Sequence, residues 1–197
     1  MALYKGNTKI KSLYLGGTKI QKLYKGSTLV YSSGYPSGTV LFENATAGTY
    51  TLVVEYDCTV SVDLVGAGSG ACYWYTRAEK GGSGAYISGT TTITAGTYSI
   101  EVGAGSAGVL NPSNVVSAGG NSTFNSNIAG GAPSWRPNSI TSVGGTATVV
   151  SPGLSGQNGN SQDSTGWISG YGAGGNTTNN QAATIKGKDG YCKITVA

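Results

Sequence analysis

The sequence predicts an all-β protein, an N-terminal repeat β-meander followed by a glycine-rich β-sandwich with long loops. Three observations lead there. A ten-residue unit recurs three times in register at the N-terminus. Short β-branched and aromatic runs alternate with glycine-rich stretches through the rest, and no stretch carries a helical period. Glycine supplies 34 of the 197 residues, against about 7% in average proteins, while charged residues are 10%, against roughly 25%. Disorder would need a high net charge, and the net charge is only +4. The composition therefore describes a folded chain with a thin core and much backbone on display.

Residues 3–32 hold the three copies, LYKGNTKIKS, LYLGGTKIQK and LYKGSTLVYS. A period of ten fits neither a helix nor a heptad, but it fits eight residues of strand and a two-residue turn. The turns fall at Gly6-Asn7, Gly16-Gly17 and Gly26-Ser27, Gly-X pairs of the kind a type II′ hairpin turn prefers. Alternation puts Ile10 on one face with Tyr14, and Ile20 with Tyr24. The leucines Leu3, Leu13 and Leu23 fall on the opposite face, beside Lys11 and Lys19. Neither face is apolar enough to hold a lone meander together in water. The expected partner is another copy of the chain, most economically in a homotrimer, with Leu3, Tyr4, Ile10, Leu13, Tyr14, Ile20, Leu23 and Tyr24 as the assembly residues.

Charge is sorted along the chain as well. Lys5, Lys9, Lys11, Lys19, Lys22 and Lys25 are half of the 12 Lys and Arg, and the first acid is Glu43. A basic segment can mark nucleic-acid binding. Lysines alternating along exposed strands, where they block edge-to-edge aggregation, account for the regular spacing better. No nucleic-acid partner is expected. The repeat, as tandem (I/L)Y-x-G-x-T-x-(I/V) units, resembles segments of virion and tail-associated proteins of phages that infect gut bacteria.

Residues 33–38 read as a linker, and residues 39–197 as one glycine-rich β domain. TVLFE, TYTLVVEY, TVSVDLV, AYISGTTTI, TYSIEV, TATVV and YCKITV have strand composition. The phrase TAGTY occurs at 46–50 and again at 94–98, each time as a turn into what should be equivalent strands. In order, the stretches GAGSGA, GGSGAYISGTTTITAGTYSIEVGAGSAG, AGGNSTF, IAGG, GYGAGG and KGKDGYCKITVA resemble the glycine-rich domain of phage tail-fibre and adhesin proteins and of some bacterial surface proteins. That resemblance implies glycine tracts packed as polyproline-II-like helices. Since no glycine run here exceeds two residues, irregular glycine loops stand beside regular helices as readings of these stretches.

The sequence argues against catalysis. It has no histidine, which removes the commonest general base and metal ligand and every Ser-His-Asp or Cys-His arrangement. Cys58, Cys72 and Cys192 are odd in number and widely spaced, so they form no zinc pattern and cannot all pair in disulfides. Gly103, Gly105 and Gly108 spell GxGxxG, but VLNPSNVVSAGG follows and cannot start the helix that a dinucleotide site needs. Glu55 and Asp57 should share a strand face. A carboxylate pair could serve glycoside hydrolysis, but acids alternating with Val54 and Tyr56 read as the solvent face of a half-buried strand. No cofactor, metal or catalytic residue is expected. No h-region or 18-residue apolar stretch is present, so neither a classical export signal nor a membrane span is expected.

One segment stands out. Tyr73, Trp74 and Tyr75 are adjacent rings followed by Arg77, and they interrupt small-residue loops without alternating like a strand. Rings in such a loop supply a recognition tip with large area at low rotamer cost, or they fold back as a plug over a thin core. Trp135 with Arg136, and Trp167 with Tyr171, sit in similar settings, where packing is the leading reading. The functional expectation is a non-enzymatic bacteriophage virion protein, a tail-fibre or tail-tip component assembled in the host cytoplasm. Its partners would be its own copies, other virion proteins, and a host surface glycan or protein. A capsid-associated fibre or decoration protein is the main alternative, and a wall- or capsule-hydrolysing fibre the other.

Overall fold

A computed structural model describes residues 4–5, 7–9, 13–20, 22–32, 34–74, 77–110, 115–136, 142–176 and 186–197. Leu3 and Ile10 of the repeat lie outside that set. Each repeat closes on itself as a hairpin: β1 (Tyr4–Lys5) with β2 (Thr8–Lys9), β3 (Leu13–Leu15) with β4 (Thr18–Ile20), and β5 (Lys22–Lys25) with β6 (Thr28–Ser32). Among the described residues the three remain separate two-stranded sheets, not one continuous meander. The turn between β3 and β4 is type I′ rather than the expected II′, because Gly16 and Gly17 both take positive φ, 54° and 85°. Pairing across the turn joins Leu13 to Ile20 and Tyr14 to Lys19. Ile20 therefore shares a face with a leucine of its own repeat.

The glycine-rich domain is a sandwich of two five-stranded antiparallel sheets, as the alternating runs predict. Its strands are β7 (Val40–Asn44), β8 (Gly48–Val54), β9 (Cys58–Val65), β12 (Tyr86–Ile93), β13 (Gly96–Val102), β14 (Ser122–Phe124), β15 (Asn127–Ala129), β16 (Ala147–Thr148), β17 (Leu154–Gln157) and β18 (Tyr191–Val196). Between β9 and β12 lies a separate hairpin, β10 (Cys72–Trp74) with β11 (Arg77–Glu79). One sheet runs β17-β12-β9-β18-β7 and the other β16-β15-β14-β13-β8. Inward positions fill the core: Val60, Val62 and Leu64 from β9, Ile87 from β12, Ile100 from β13, Phe124 from β14 and Ile194 from β18 are all buried. The two TAGTY phrases are equivalent, as expected. They open β8 and β13, which pair with each other, and in each the tyrosine hydroxyl donates to the threonine carbonyl four residues back.

Beyond the sandwich the glycine-rich stretches form a second ordered body. In the tract 66–71, Gly66 and Ser69 both donate their N–H groups to tract 81–85, at Ala85 and Gly82. Between them, Ala67 donates to Gly120 and Gly68 to Lys188, in two other tracts. A direction that recurs every third residue, with no bond inside the tract, is the signature of a polyproline-II-like helix. The same period returns in Gly81 and Gly84, both bonded to tract 172–175, and in Gly187 and Gly190, both bonded to tract 103–108. Tract 66–71 also accepts bonds from Ser106, Ala132 and Gly175, so six tracts surround it. The glycine tracts are thus ordered and cross-bonded at a three-residue spacing, the pattern that polyproline-II-like packing produces. A Cβ on Gly84 would lie 2.0 Å from the carbonyl oxygen of Gly66, and one on Gly105 2.0 Å from that of Gly187. Only glycine permits this approach.

The glycine tracts extend the sandwich from one end and so give the domain two distinct ends. Tract 66–71 continues β9, tract 103–108 continues β13, and tracts 81–85 and 186–190 lead back into β12 and β18. The short turns at 55–57, 94–95, 125–126 and 149–153 lie at the opposite end of the sandwich, the base. Since Val40 pairs with Thr195 near the end of β18, the chain from the repeat also arrives at the base.

Candidate functional site at the distal loops

The β10–β11 hairpin joins tract 66–71 to tract 81–85, and Val109, Val116 and Trp135 lie beside its root. Cys72 bridges to Val109, and Val116 and Trp135 exchange N–H···O bonds of 2.9 and 3.1 Å. Cys72, Val116 and Trp135 are buried together, with Val109 packed against them. This small apolar cluster closes the far end of the bundle.

Trp135 belongs to that closure. It is 2% exposed, and its indole N–H donates to the Gly70 carbonyl at 3.3 Å. Its ring is a packing element, the leading reading for its setting. Arg136, the next residue, is exposed at the distal end. Trp167 and Tyr171 lie elsewhere, at the junction of bundle and sandwich. The Trp167 indole N–H donates to the Gly84 carbonyl at 2.6 Å, and its ring tilts against Tyr86 at 5.4 Å. Tyr171 stacks parallel on Tyr191, with centroids 4.6 Å apart. The strip 167–171 thus covers the first row of one sheet, fastened by rings.

The ring-rich segment is a strand pair, against the expectation that it would not alternate. Register joins Cys72 to Glu79, Tyr73 to Ala78 and Trp74 to Arg77, which leaves residues 75 and 76 between the paired strands. Tyr75 lies outside the described residues. Tyr73 is half-buried while Cys72, beside it, is fully buried, so the hairpin roots in the cluster and rises beyond it. Burial, with help from the Glu79 charge, pushes the Cys72 thiol up to about 11.

Asp57 and Asp63 act as hydrogen-bond acceptors within the fold. β8 ends at Val54, so Glu55 and Asp57 lie on a turn and not on one strand face. Asp57 accepts the Ala95 N–H at 2.8 Å, joining two base turns. Asp63 accepts the Tyr86 hydroxyl at 2.6 Å. Gly103 and Gly105 lie in the bundle, where the Gly105 N–H donates to Asp189 at 2.8 Å. The cysteines are free thiols.

The assembly residues are largely open to solvent. Tyr14 is 60% exposed, Tyr24 53% and Leu23 38%, while Leu13 and Ile20 are half-buried. Tyr4 is placed by its backbone, paired with Lys9.

Compared with known protein families, residues 44–196 match the glycine-rich domain. Among curated proteins, none matches the chain.

Proposed function

The chain belongs to the glycine-rich domain family, and from that footing we propose that it is a non-enzymatic bacteriophage virion protein, a tail-fibre or tail-tip component. Its repeat would join copies of the chain, as a homotrimer, to other virion proteins. Its distal loops would meet a glycan or protein of the host surface. The observation that carries the reading is the polarity of the domain. The chain from the repeat enters at the base, and the hairpin that carries Tyr73 and Arg77 stands at the other end. The resemblance of the repeat to virion segments supplies the setting. The absence of histidine from the sequence, and the use of Asp57 and Asp63 as hydrogen-bond acceptors within the fold, support a binding role over catalysis.

Rings stacked on sugar contribute about 1 kcal/mol each. Replacing Tyr73, Trp74 and Tyr75 by serine is expected to abolish retention of the purified protein on bacterial cells, with Tm nearly unchanged. Retention that survives the triple change, or that fails only together with the fold, would overturn the reading.

A further inference from the structure

The four edges of the sandwich are not alike. β16 has two residues and β17 four, while β7 carries Glu43 and a register shift against β18. Shortness, charge and bulges are the devices that keep an edge from recruiting another strand. β8 has none of them. It is seven residues long, GTYTLVV, with no charge and no proline, and its register with β13 runs unbroken from Gly48↔Val102 to Val54↔Gly96. Thr49 and Thr51 are exposed on its outer face, and Val53 is 63% exposed. Among the described residues no strand pairs with its outer side.

The repeat shows the converse lack. Two-stranded hairpins are marginal in water until a third strand joins them, and here they leave Tyr14, Leu15 and Tyr24 in solvent. The chain leaving the last hairpin is fastened beside β8. The Tyr35 hydroxyl accepts the Glu55 N–H at 2.6 Å, one residue past the end of that strand, and the Tyr35 ring meets Tyr56 edge-on at 5.3 Å.

We propose that the β8 edge is a docking site for a repeat hairpin of a second copy of this chain, added to the sheet by main-chain hydrogen bonds. The inference rests on the self-assembly reading above and names its contact. Within one chain the described hairpins pair only internally and the edge stays open, so a neighbour must supply the strand. Charge agrees. β8 offers nothing that repels Lys22 or Lys25, and exposed Glu101, paired with Thr49, presents the opposite sign beside the edge. A contact between two different patches, repeat on one copy and edge on the next, is head-to-tail, the kind that builds a ring such as a trimer when its rotation closes.

Light scattering and amide hydrogen exchange on the full chain test this. The native protein is expected to be oligomeric, with slow exchange along residues 48–54. The paired change Thr51→Lys and Val53→Lys should yield folded monomers with fast exchange there and a Tm that no longer depends on protein concentration. So should Tyr14→Ser with Leu15→Ser and Tyr24→Ser. Fast β8 exchange in the native oligomer, or an oligomer that survives the lysine pair, would overturn the inference and leave self-assembly standing. If the lysine pair dissociates the protein but the repeat changes do not, β8 meets β8 of another copy and the proposed occupant is wrong. A monomeric native protein removes both readings.

Discussion

Gly68 and Ala173 approach so closely that a methyl group on Gly68 would stand 2.0 Å from the Ala173 carbonyl oxygen. The obstacle is backbone, held in turn by the Lys188 N–H bonded to that same oxygen, so it cannot swing aside. Gly68→Ala is therefore expected to cost about 3 kcal/mol, or roughly 10 °C in Tm. Gly34→Ala, with nothing within 4 Å of the added carbon, should leave Tm unchanged. Thermal unfolding of the two variants measures the contrast. Equal, small shifts would mean that the bundle is looser than its hydrogen bonds imply.

Trp135 and Trp167 are expected to separate by burial. Trp135→Ala opens a hole in the cluster that closes the bundle and should destabilise by about 3–5 kcal/mol. Trp167 covers the junction from outside and is only half-buried, so its truncation should cost less. Denaturant unfolding of both variants ranks them, and the reverse order would contradict the assigned closure.

The thiols should be silent in the native protein. Burial pushes Cys192 up to about 12 and Cys72 up to about 11, and raises Cys58 with help from the Asp57 charge. Few thiolates exist at neutral pH, and two of the three sulfurs are fully buried. A thiol reagent at pH 7 is expected to leave Cys72 and Cys192 unmodified until denaturant is added, whereupon all three react. Rapid native labelling of Cys192 would mean that β18 opens readily.

Acid should weaken the fold through two carboxyls. Hydrogen bonds from Tyr191 and Lys193 hold the Glu43 carboxyl below its ordinary range. Burial pushes Asp163 up, but bonds from the Thr165 hydroxyl and amide, Asn160 and Ser83 outweigh it and hold this carboxyl low as well. Lowered values mean that the folded state prefers the charged forms. Their stabilisation is whole above the ordinary values of 4.5 and 3.8, and is lost as pH falls through the lower folded ones. Tm measured from pH 6 to pH 2 should fall within that acid window. Glu43→Gln should flatten part of the fall.

The sandwich was legible wherever strands are long enough to alternate. β9 buries Val60, Val62 and Leu64 in strict alternation, and β12, β13 and β18 were readable in the same way. β14 and β15 were not, because three residues carry no period and their turn, Asn125-Ser126, takes positive φ without glycine. A run such as NSTFNSNIA offers only a polar turn pair between short apolar ends. The bundle was within reach of the resemblance but not of any local pattern. Its bonds join residues as far apart as Gly68 and Lys188, so no local pattern encodes them, and only the glycine content betrays the close approach. Trp135 is the sharpest case at the distal end. An indole among small residues suits a tip or a plug equally until Gly70, 65 residues earlier, is known to take its N–H.

The opposed ends of the domain also decide how it bears load. Tension between the distal hairpin and the N-terminus pulls β7 toward the base and pulls β18 and β9, through their tracts, toward the other end. The ladder between β7 and β18, with Val40 through Asn44 facing Thr195 through Cys192, is then strained along its length. Its hydrogen bonds and the Lys193–Glu43 ion pair that crosses it resist together rather than one after another. A ladder loaded in this direction yields later than one peeled open from the side, bond by bond.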